Sequence, residues 1–393
     1  MFSRRIEWDV RMNRLSQALE ARRRAGEPVL DLTESNPTHA GFEYPAEIVR
    51  GFADPAMLRY EPSPRGARAA REAVAADYAR RGVRVEPERI LLTASTSEAY
   101  AYLFKLLADP GDDVLVPRPS YPLFEFLANL ECIGARQYPL MYHGGWTIDF
   151  EALEGAVGDR TRAVVVVNPN NPTGSYVKRR EAQALARMCA ERGMALIADE
   201  VFADYAWVPD SERAATLIGM DECLTFSMSG LSKIAGLPQM KLGWIVVSGP
   251  EALRRLAIEK LEWIADTYLS VSTPVQCAAA RLLEAGGKVR EQIRERTAAN
   301  LAAARALLAD SPAGILAAEG GWYIVVQAPR IVSEEEWALE LLTRHGVLVQ
   351  PGYFYDFETE AYLVISLLPA PAIFGEGMRR VRECLTVRAG RGF

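Results

Sequence analysis

The sequence is poor in the residues that build disulfide frameworks and metal centres. It has five cysteines and three histidines among 393 residues. The cysteines are odd in number and form no Cys-x-x-Cys pair, which indicates reduced thiols in the cytoplasm. The histidines lie far apart and form no His-Glu-x-x-His pattern, so a zinc site or a histidine-based triad has few candidate residues. We therefore predict no metal site.

The chain also lacks an excess of one charge and any long apolar run. Its 45 basic and 51 acidic residues give a net charge of −6, which favours neither nucleic acid nor an anionic membrane as a partner. The longest apolar run in its strand-like segments, 163–167, is far shorter than the ~18 residues of a membrane helix. Residues 1–27 are charged throughout and show no signal peptide. We expect a cytoplasmic protein without nucleic-acid or membrane partners.

What is present is a regular alternation of helix and strand patterns. Short apolar runs, typical of a parallel sheet buried on both faces, alternate with helical patterns from about residue 66. The predicted strands are 90–93, 113–116, 163–167, 195–198, 224–227 and 242–247. Past about residue 272 a long helical stretch replaces this rhythm, and strand-like segments at 322–327 and 347–350 follow it. We predict an α/β fold with a large domain at 45–270 and a smaller α+β domain formed by 1–44 and 271–393.

Polar residues follow several predicted strands, at the edge where open α/β sheets bind ligands. T-A-S-T-S-E-A-Y (93–100) begins a helix, whose free N–H groups suit a phosphate, although a serine or threonine there also acts as a plain cap. N-P-N-N-P-T-G-S (168–175) has the composition of a tight turn. Asp199 and Glu200 leave a buried strand, where a carboxylate needs a capping role or a cation.

Lysine is rare in this chain, with six lysines against 39 arginines. Two of the six, Lys233 and Lys241, lie in one glycine-containing loop, which suggests a need for an amine nucleophile, although a surface lysine is the plain alternative. Together the strand ends supply a phosphate cradle, a carboxylate, an amide and a lysine. This set fits pyridoxal 5′-phosphate (PLP), which forms a Schiff base with a lysine and acts as an electron sink when a carboxylate keeps its ring nitrogen protonated.

Five motifs resemble those of the class I and II aminotransferases of PLP fold type I, over almost the whole chain. They are TASTSEAY (93–100), DPGDDVLVPRPSYP (109–122), VVNPNNPTG (166–174), IADEV (197–201) and SGLSKIAGLPQMKLGW (229–244). The resemblance implies PLP as cofactor and a large domain with a mostly parallel central sheet flanked by helices, next to a smaller α+β domain. It also implies a small-molecule amino donor, a carbonyl acceptor and a homodimer with shared active sites.

The resemblance assigns roles residue by residue around the cofactor ring. Lys233 would form the Schiff base and then act as general base, and Asp199 would pair with the pyridinium nitrogen. Asn171 would hydrogen-bond the phenolic oxygen, and Tyr121 would stack on the ring.

Further positions match those that bind the phosphate and cover the substrate. The implied phosphate-binding residues are Ser95, Thr96, Ser97, Ser229 and Lys241. Lys241 stands where the family has an arginine, so it keeps the charge without the bidentate geometry. Tyr60 would reach the phosphate of the neighbouring subunit, and Asn36 lies where the N-terminal segment closes over the substrate.

Three further departures from the family pattern concern single side chains. Phe202 replaces a tyrosine that donates to the phenolic oxygen, so Tyr205 or a water would have to supply that hydroxyl. Gly230 replaces a serine, for which Ser229 and Ser232 are substitutes nearby. Val364 replaces the arginine that binds the substrate α-carboxylate in the family.

Val364 leaves three explanations open. Another arginine holds the carboxylate, or the substrate lacks an α-carboxylate, or transamination has been lost in favour of another PLP activity or of cofactor binding alone.

The function predicted from the sequence is therefore a PLP-dependent aminotransferase. A lyase or decarboxylase on the same fold is the alternative, because motifs do not report which substrate bond is aligned with the ring. A PLP-binding regulator is disfavoured, since only about 45 residues precede the large domain and the chain is acidic.

Overall fold

The computed structural model describes residues 1–8 and 11–390, and the elements below belong to this part of the chain. The strands are β1 Leu30–Asp31, β2 Ile90–Thr93, β3 Asp113–Arg118, β4 Gly134–Tyr142, β5 Trp146–Ile148, β6 Thr161–Val167, β7 Ala195–Asp199, β8 Thr225–Gly230, β9 Gly243–Ser248, β10 Gly314–Ile315, β11 Tyr323–Gln327, β12 Val347–Leu348, β13 Gln350–Pro351 and β14 Tyr362–Ser366. The helices are α1 Arg14–Arg24, α2 Glu47–Arg50, α3 Arg68–Arg80, α4 Thr96–Leu107, α5 Phe124–Leu130, α6 Phe150–Ala156, α7 Arg179–Arg192, α8 Leu231–Ile234, α9 Glu251–Tyr268, α10 Thr273–Leu308, α11 Glu334–His345 and α12 Pro371–Gly390.

The large sheet brings the carboxyl ends of several strands to one edge. Its order is β2-β9-β8-β7-β6-β3-β4-β5. The strands β8, β7, β6, β3 and β4 pair in parallel. β9 is antiparallel to both β8 and β2, so β2 runs in the same direction as β8. The predicted mostly parallel central sheet is confirmed, and the loops after β2, β3, β6, β7 and β8 leave from the same side.

A smaller antiparallel sheet, of order β10-β11-β14-β13, follows in the C-terminal part of the chain. Ile324 and Ile365 belong to a core cluster with α11 and α12, whereas Val325 and Val364 belong to the cluster that contains Trp322 and residues of the large sheet. One face of the small sheet therefore packs toward the large sheet. β1 pairs in parallel with β12, which ties the N-terminal segment to this part. The domain boundaries at 45 and 270 stay predictions.

The sequence prediction lacks the strands β10 and β14 of the small sheet, and two further regions differ from it. Residues 134–148 form β4 and β5 at the edge of the large sheet, where no strand was predicted. β4 is largely exposed or half-buried and lacks a continuous apolar run, because β5 covers only its end at 140–142. Pro139 lies in the part that β5 leaves unpaired. The segment predicted as one strand at 347–350 is split, because β12 pairs with β1 while β13 pairs with β14.

Two properties of the described part of the chain concern membranes and disulfides. Among its helices none combines the length and the apolar character needed to cross a bilayer. All five cysteines are free thiols.

A close backbone approach fastens the loop after β6 to the segment that leads into β11. Gly174 has a φ of +67°, and its carbonyl oxygen accepts hydrogen bonds from the N–H groups of Glu319 (3.0 Å) and Gly320 (3.1 Å). A Cβ atom at Gly174 would overlap the carbonyl oxygen of Gly320. Glycine is therefore required here both by the left-handed backbone and by space.

We expect Gly174→Ala to destabilise the protein more than Gly193→Ala, which is its matched control. Gly193 has nearly the same φ of +65°, but a Cβ atom added there would have nothing within 4 Å. Gly193→Ala should cost about 1–2 kcal/mol for the left-handed backbone alone. Gly174→Ala adds the clash, so its melting temperature in calorimetry should lie clearly below that of the control. Equal melting temperatures would contradict the close approach.

Candidate active site

Lys233 lies in the short helix α8, directly after β8. Its Nζ atom is 4.7 Å from the ring centroid of Trp322 and 5.5 Å from that of Phe202. Burial lowers the pKa of this amine to about 8, against the opposing effect of Asp199. No side chain in the described residues accepts a hydrogen bond from it. The amine is thus a nucleophile whose neutral form becomes dominant just above neutral pH.

Asp199 ends β7, the strand next to β8. Its carboxylate accepts hydrogen bonds from the Tyr100 hydroxyl (3.1 Å) and from the backbone N–H of Val201 (3.2 Å). Burial raises its pKa to about 6, while these hydrogen bonds and Lys233 oppose that rise. At pH 7 the group is mostly ionised, and it presents a negative charge inside apolar surroundings. Such a carboxylate is suited to hold a cationic N–H group.

Tyr205 positions the backbone of the lysine. The Tyr205 side chain is fully buried, and its hydroxyl donates to the carbonyl oxygen of Lys233 at 2.6 Å. This hydroxyl is therefore engaged on the main chain and does not substitute for the one missing at Phe202. Phe202 packs edge-on against Trp322, with ring centroids 5.2 Å apart, and so helps to enclose the lysine amine.

The helix α4 begins where β2 ends, as the sequence predicts. Ser95 caps it by accepting from the N–H of Glu98 (3.2 Å), and the Glu98 carboxylate accepts from the N–H of Ala94 (2.6 Å). The first N–H groups of a helix have no partner within it, so those of Thr96 and Ser97 are available to an anion. The N-terminal end of the helix dipole adds a partial positive charge at the same place.

Gly230 has no room for a side chain. A Cβ atom at this position would lie 2.9 Å from the carbonyl oxygen of Leu242 and 3.0 Å from the Cα atom of Gly243. The close pairing of β8 with β9 therefore explains why a serine is missing there. Lys241 lies just before β9, is exposed, and has a left-handed φ of 52°.

Polar atoms that are buried and unpaired in the described chain test whether the site fits PLP. Among them, those on β8, on the loop after β6 and on the segment that leads into β11 are Asn171 Oδ1, Ser227 Oγ, Ser229 Oγ and Trp322 Nε1. Leaving a buried polar atom unpaired costs about 1–3 kcal/mol, so a polar ligand at the strand ends would be stabilised. The Lys233 amine suits the aldehyde of PLP, and the Asp199 carboxylate suits its protonated ring nitrogen. The free N–H groups at the start of α4 suit its phosphate. The residues present therefore fit PLP.

The other predicted site residues lie farther from the lysine or at the surface. Tyr121, after β3, is half exposed and lies near Tyr323 and Tyr355, whose pKa values it helps to raise. Asn36 is part of a turn, in which its Oδ1 accepts from the N–H of Thr38 at 3.0 Å. Tyr60 is 75% exposed in the single chain.

Sequence reasoning missed two residues near the charged groups. Tyr100 lies in the T-A-S-T-S-E-A-Y motif, one helical turn after Thr96, and that spacing was the available signal for a side chain at the site. Trp322 follows two glycines in a segment that resembles the family's substrate-facing strand entry, but packing in the core was an interpretation of at least equal weight. No pattern within one segment predicts the contact of Trp322 with Lys233, because only the fold brings the two residues together.

The sequence pattern described as "Aminotransferase class I and II" matches residues 27–370. The chain belongs to this family. It is 30% identical to the arginine–pyruvate transaminase of Pseudomonas aeruginosa, over 98% of this chain and 95% of that protein. It is 28% identical to a glutamate–pyruvate aminotransferase of Escherichia coli, over 88% of this chain and 87% of that protein.

The fold agrees with this family. The alanine aminotransferase of Pyrococcus furiosus superposes with a TM-score of 0.88 at 23% identity, over 99% of this chain and all of that chain. The protein is therefore a PLP-dependent aminotransferase of fold type I. Within the residues that the structure describes, no three His, Cys, Asp or Glu side chains are grouped so as to hold a metal ion.

We expect PLP attachment to the apo-aminotransferase to speed up as the pH rises through about 8. The amine attacks only when neutral, and its pKa is about 8. In Asp199→Asn the nearby negative charge is gone, so the pKa should fall and the midpoint of the profile should move to lower pH. The measurement is the rate at which the visible band of lysine-bound PLP appears, followed from pH 6 to pH 10. A midpoint that stays fixed or rises in the variant would contradict the coupling between the two residues.

Proposed function

We propose that Lys233 is the residue that binds PLP covalently and that it then serves as the general base of transamination. The observation that carries the proposal is the state of its amine, which is enclosed by Trp322 and Phe202, has a lowered pKa, and lies within the electrostatic reach of Asp199. A catalytic amine needs a pKa near the working pH, and burial provides that shift here.

The roles of the other ring-contacting residues follow from their charges and positions. When bound, PLP supplies an electron sink for the electron pair left when a substrate C–H bond breaks. The Asp199 carboxylate would hold the ring nitrogen in its protonated form. The Lys233 amine would take the proton from the amino-bearing carbon of the substrate and return it to the cofactor side. Asn171 would donate its amide to the phenolic oxygen, and Tyr121 would cover one face of the ring.

The phosphate would lie at the N-terminal end of α4. The N–H groups of Thr96 and Ser97 point to this end, and the proposed set also contains Ser95, Ser229 and Lys241. Lys241 would contribute charge from the edge of the site, since it is exposed. Asn36 belongs to the N-terminal segment, which would cover the substrate.

The overall reaction exchanges an amine and a carbonyl between two small molecules. The donor loses its amino group and two electrons and becomes a ketone or aldehyde. The acceptor gains them, and its carbonyl oxygen passes to the donor skeleton by way of water. Atoms and electrons balance without any further oxidant or reductant.

The experiment that tests this function is a spectrum of the purified protein with PLP, before and after an amino donor is added. We expect a visible band of lysine-bound PLP that disappears with donor and returns with a carbonyl acceptor. Lys233→Ala should abolish the band and lower turnover by at least about 10⁴-fold, in the range lost when an activated nucleophile is removed. Lys260→Ala, which changes an exposed lysine of α9, is the matched control and should retain both. A visible band that persists in Lys233→Ala would contradict the assignment of Lys233 as the PLP-binding residue.

We also propose a homodimer whose active sites are shared, acting in the cytoplasm. The dimer is supported by large apolar side chains that are exposed in the single chain. They are Leu58 (86% exposed), Tyr60 (75%), Trp263 (74%) and Tyr268 (52%). Large apolar side chains of this kind supply the surface that a protein interface buries. Tyr60 would reach the phosphate bound by the other subunit.

Complementation between two inactive variants tests the sharing of sites. In a co-expressed mixture of Lys233→Ala and Tyr60→Ala chains, the mixed dimer contains one site with both native residues if Tyr60 acts across the interface. Activity should then rise well above that of either variant alone. If Tyr60 acts within its own chain, no mixed site is intact, and the mixture should only average the two variants. Light scattering measures the oligomeric state in parallel.

A further inference from the structure

The face of the small sheet that packs toward Lys233 carries no charge. Alternate residues of β11 and β14 form this face, namely Tyr323 and Val325 on one strand and Tyr362 and Val364 on the other. All four are buried in the same apolar cluster as Trp322, the ring next to the Lys233 amine. A substrate held at Lys233 therefore meets hydroxyl and aliphatic groups on this side.

The position of Val364 is bordered by neutral polar groups. Val364 is fully buried and lies in register between Val325 on β11 and Gln350 on β13. The Gln350 side-chain oxygen accepts a hydrogen bond from the Tyr355 hydroxyl. Within the described residues no side chain or carbonyl group accepts a hydrogen bond from the side-chain amide N–H groups of Gln350, so they are available to a ligand. The carbonyl oxygen of Tyr355 accepts from the N–H of Ser120 at 2.9 Å, so this pair borders the loop that carries Tyr121.

The electrostatic surroundings of the tyrosines agree with the absence of a cation. Burial, Tyr121 and Glu34 raise the pKa of Tyr323, and a hydrogen bond to Ser35 opposes them. Burial together with Tyr323 and Tyr121 raises the pKa of Tyr355. None of these influences comes from a lysine or an arginine. The charged group that acts here is a carboxylate.

Arginines on the neighbouring elements are already engaged. Arg290 binds the Asp204 carboxylate and the carbonyl oxygen of Ile234. Arg296 donates to the carbonyl oxygens of Ala40 and Leu368.

Arg118 is the third such arginine, and it forms an ion pair with Glu358. A carboxylate brought against the small sheet would thus meet, among these three described arginines, only guanidinium groups that already donate to protein acceptors, and it would lie close to Glu34. An unpaired buried charge is strongly disfavoured, whereas an uncharged polar group needs only hydrogen bonds.

We propose that the site selects substrates whose amino-bearing carbon carries no carboxylate, with the Gln350 amide and the Tyr355 hydroxyl binding a neutral hydroxyl or carbonyl group in its place. The substrate class is a neutral primary amine such as an amino alcohol or an amino sugar, together with the carbonyl compound that it yields. This inference rests on the proposed function of Lys233 as the reacting amine.

Matched substrate pairs test it with the native holoenzyme. L-alaninol and L-phenylalaninol differ from L-alanine and L-phenylalanine only in a CH₂OH group for the carboxylate. We expect the second-order rate constant for loss of the visible PLP band to be at least about tenfold larger for each alcohol, since an unpaired charge forfeits more than one charge-assisted hydrogen bond. Equal rates, or faster conversion by the amino acids, would overturn the substrate class and leave the function of Lys233 intact.

Variants of the neutral pair provide the structural side of the test. Gln350→Leu removes the amide donors and should lower the alaninol rate about tenfold, through a higher KM rather than a lower kcat. Tyr353→Phe changes an exposed hydroxyl on the same turn as Tyr355 and serves as control, with no change expected. Unchanged alaninol kinetics in Gln350→Leu, with an unchanged visible band, would overturn the role of Gln350. A visible band that no donor of either class alters would instead show that transamination itself is wrong, and the inference falls with it.

Discussion

The structure depends on two opposite charges that are partly shielded from water at the ends of neighbouring strands. Asp199 ends β7 and Lys233 follows β8, and burial acts on both in the direction that disfavours ionisation. Each charge partly offsets the desolvation of the other, yet they form no direct ion pair. A direct pair would have fixed the lysine as an ammonium ion. Holding the two groups at a distance leaves the carboxylate mostly ionised at pH 7 and the pKa of the amine at about 8, so that a neutral amine is accessible near neutral pH.

Everything packed around this pair limits how far it can move. Tyr100 reaches Asp199 from α4, and Tyr205 fixes the main chain at Lys233 by a 2.6 Å hydrogen bond. Trp322 approaches from the small sheet, and the contact of Gly174 with Gly320 holds that segment against the loop after β6. The lysine is therefore positioned by elements far apart in sequence. This explains why its surroundings combine aromatic rings with few hydrogen bonds, since rings exclude water without offering the amine a competing acceptor.

The sequence predicts the features whose pattern lies within one segment, and it does not predict those that arise only where distant segments meet. The parallel strands were predictable because their burial on both faces leaves continuous apolar runs, and polar residues at their carboxyl ends indicated the site. The strand β4 next to the edge was not, because its exposed and half-buried residues break the apolar run. The engagement of Tyr205 on the main chain and the contact of Trp322 with Lys233 could not be read from local patterns either. Both depend on how two sheets meet, and no single segment encodes that. The glycine at position 230 is evident from the sequence, but the lack of space that explains it is seen only when β8 pairs with β9.

The two halves of the site differ in electrostatic character, and this difference separates chemistry from selectivity. The half built on the large sheet holds a carboxylate, an amine and a helix N-terminus, which together suit a charged cofactor. The half built on the small sheet presents Val364 and uncharged polar groups, with Glu34 as the charge nearby. The first half would hold the cofactor and supply the general base, whereas the second half would hold the rest of the substrate and so orient its bonds relative to the ring. An identity of about 30% to an arginine–pyruvate transaminase therefore supports the reaction type, while the substrate class proposed for this chain rests on the residues of its own small sheet.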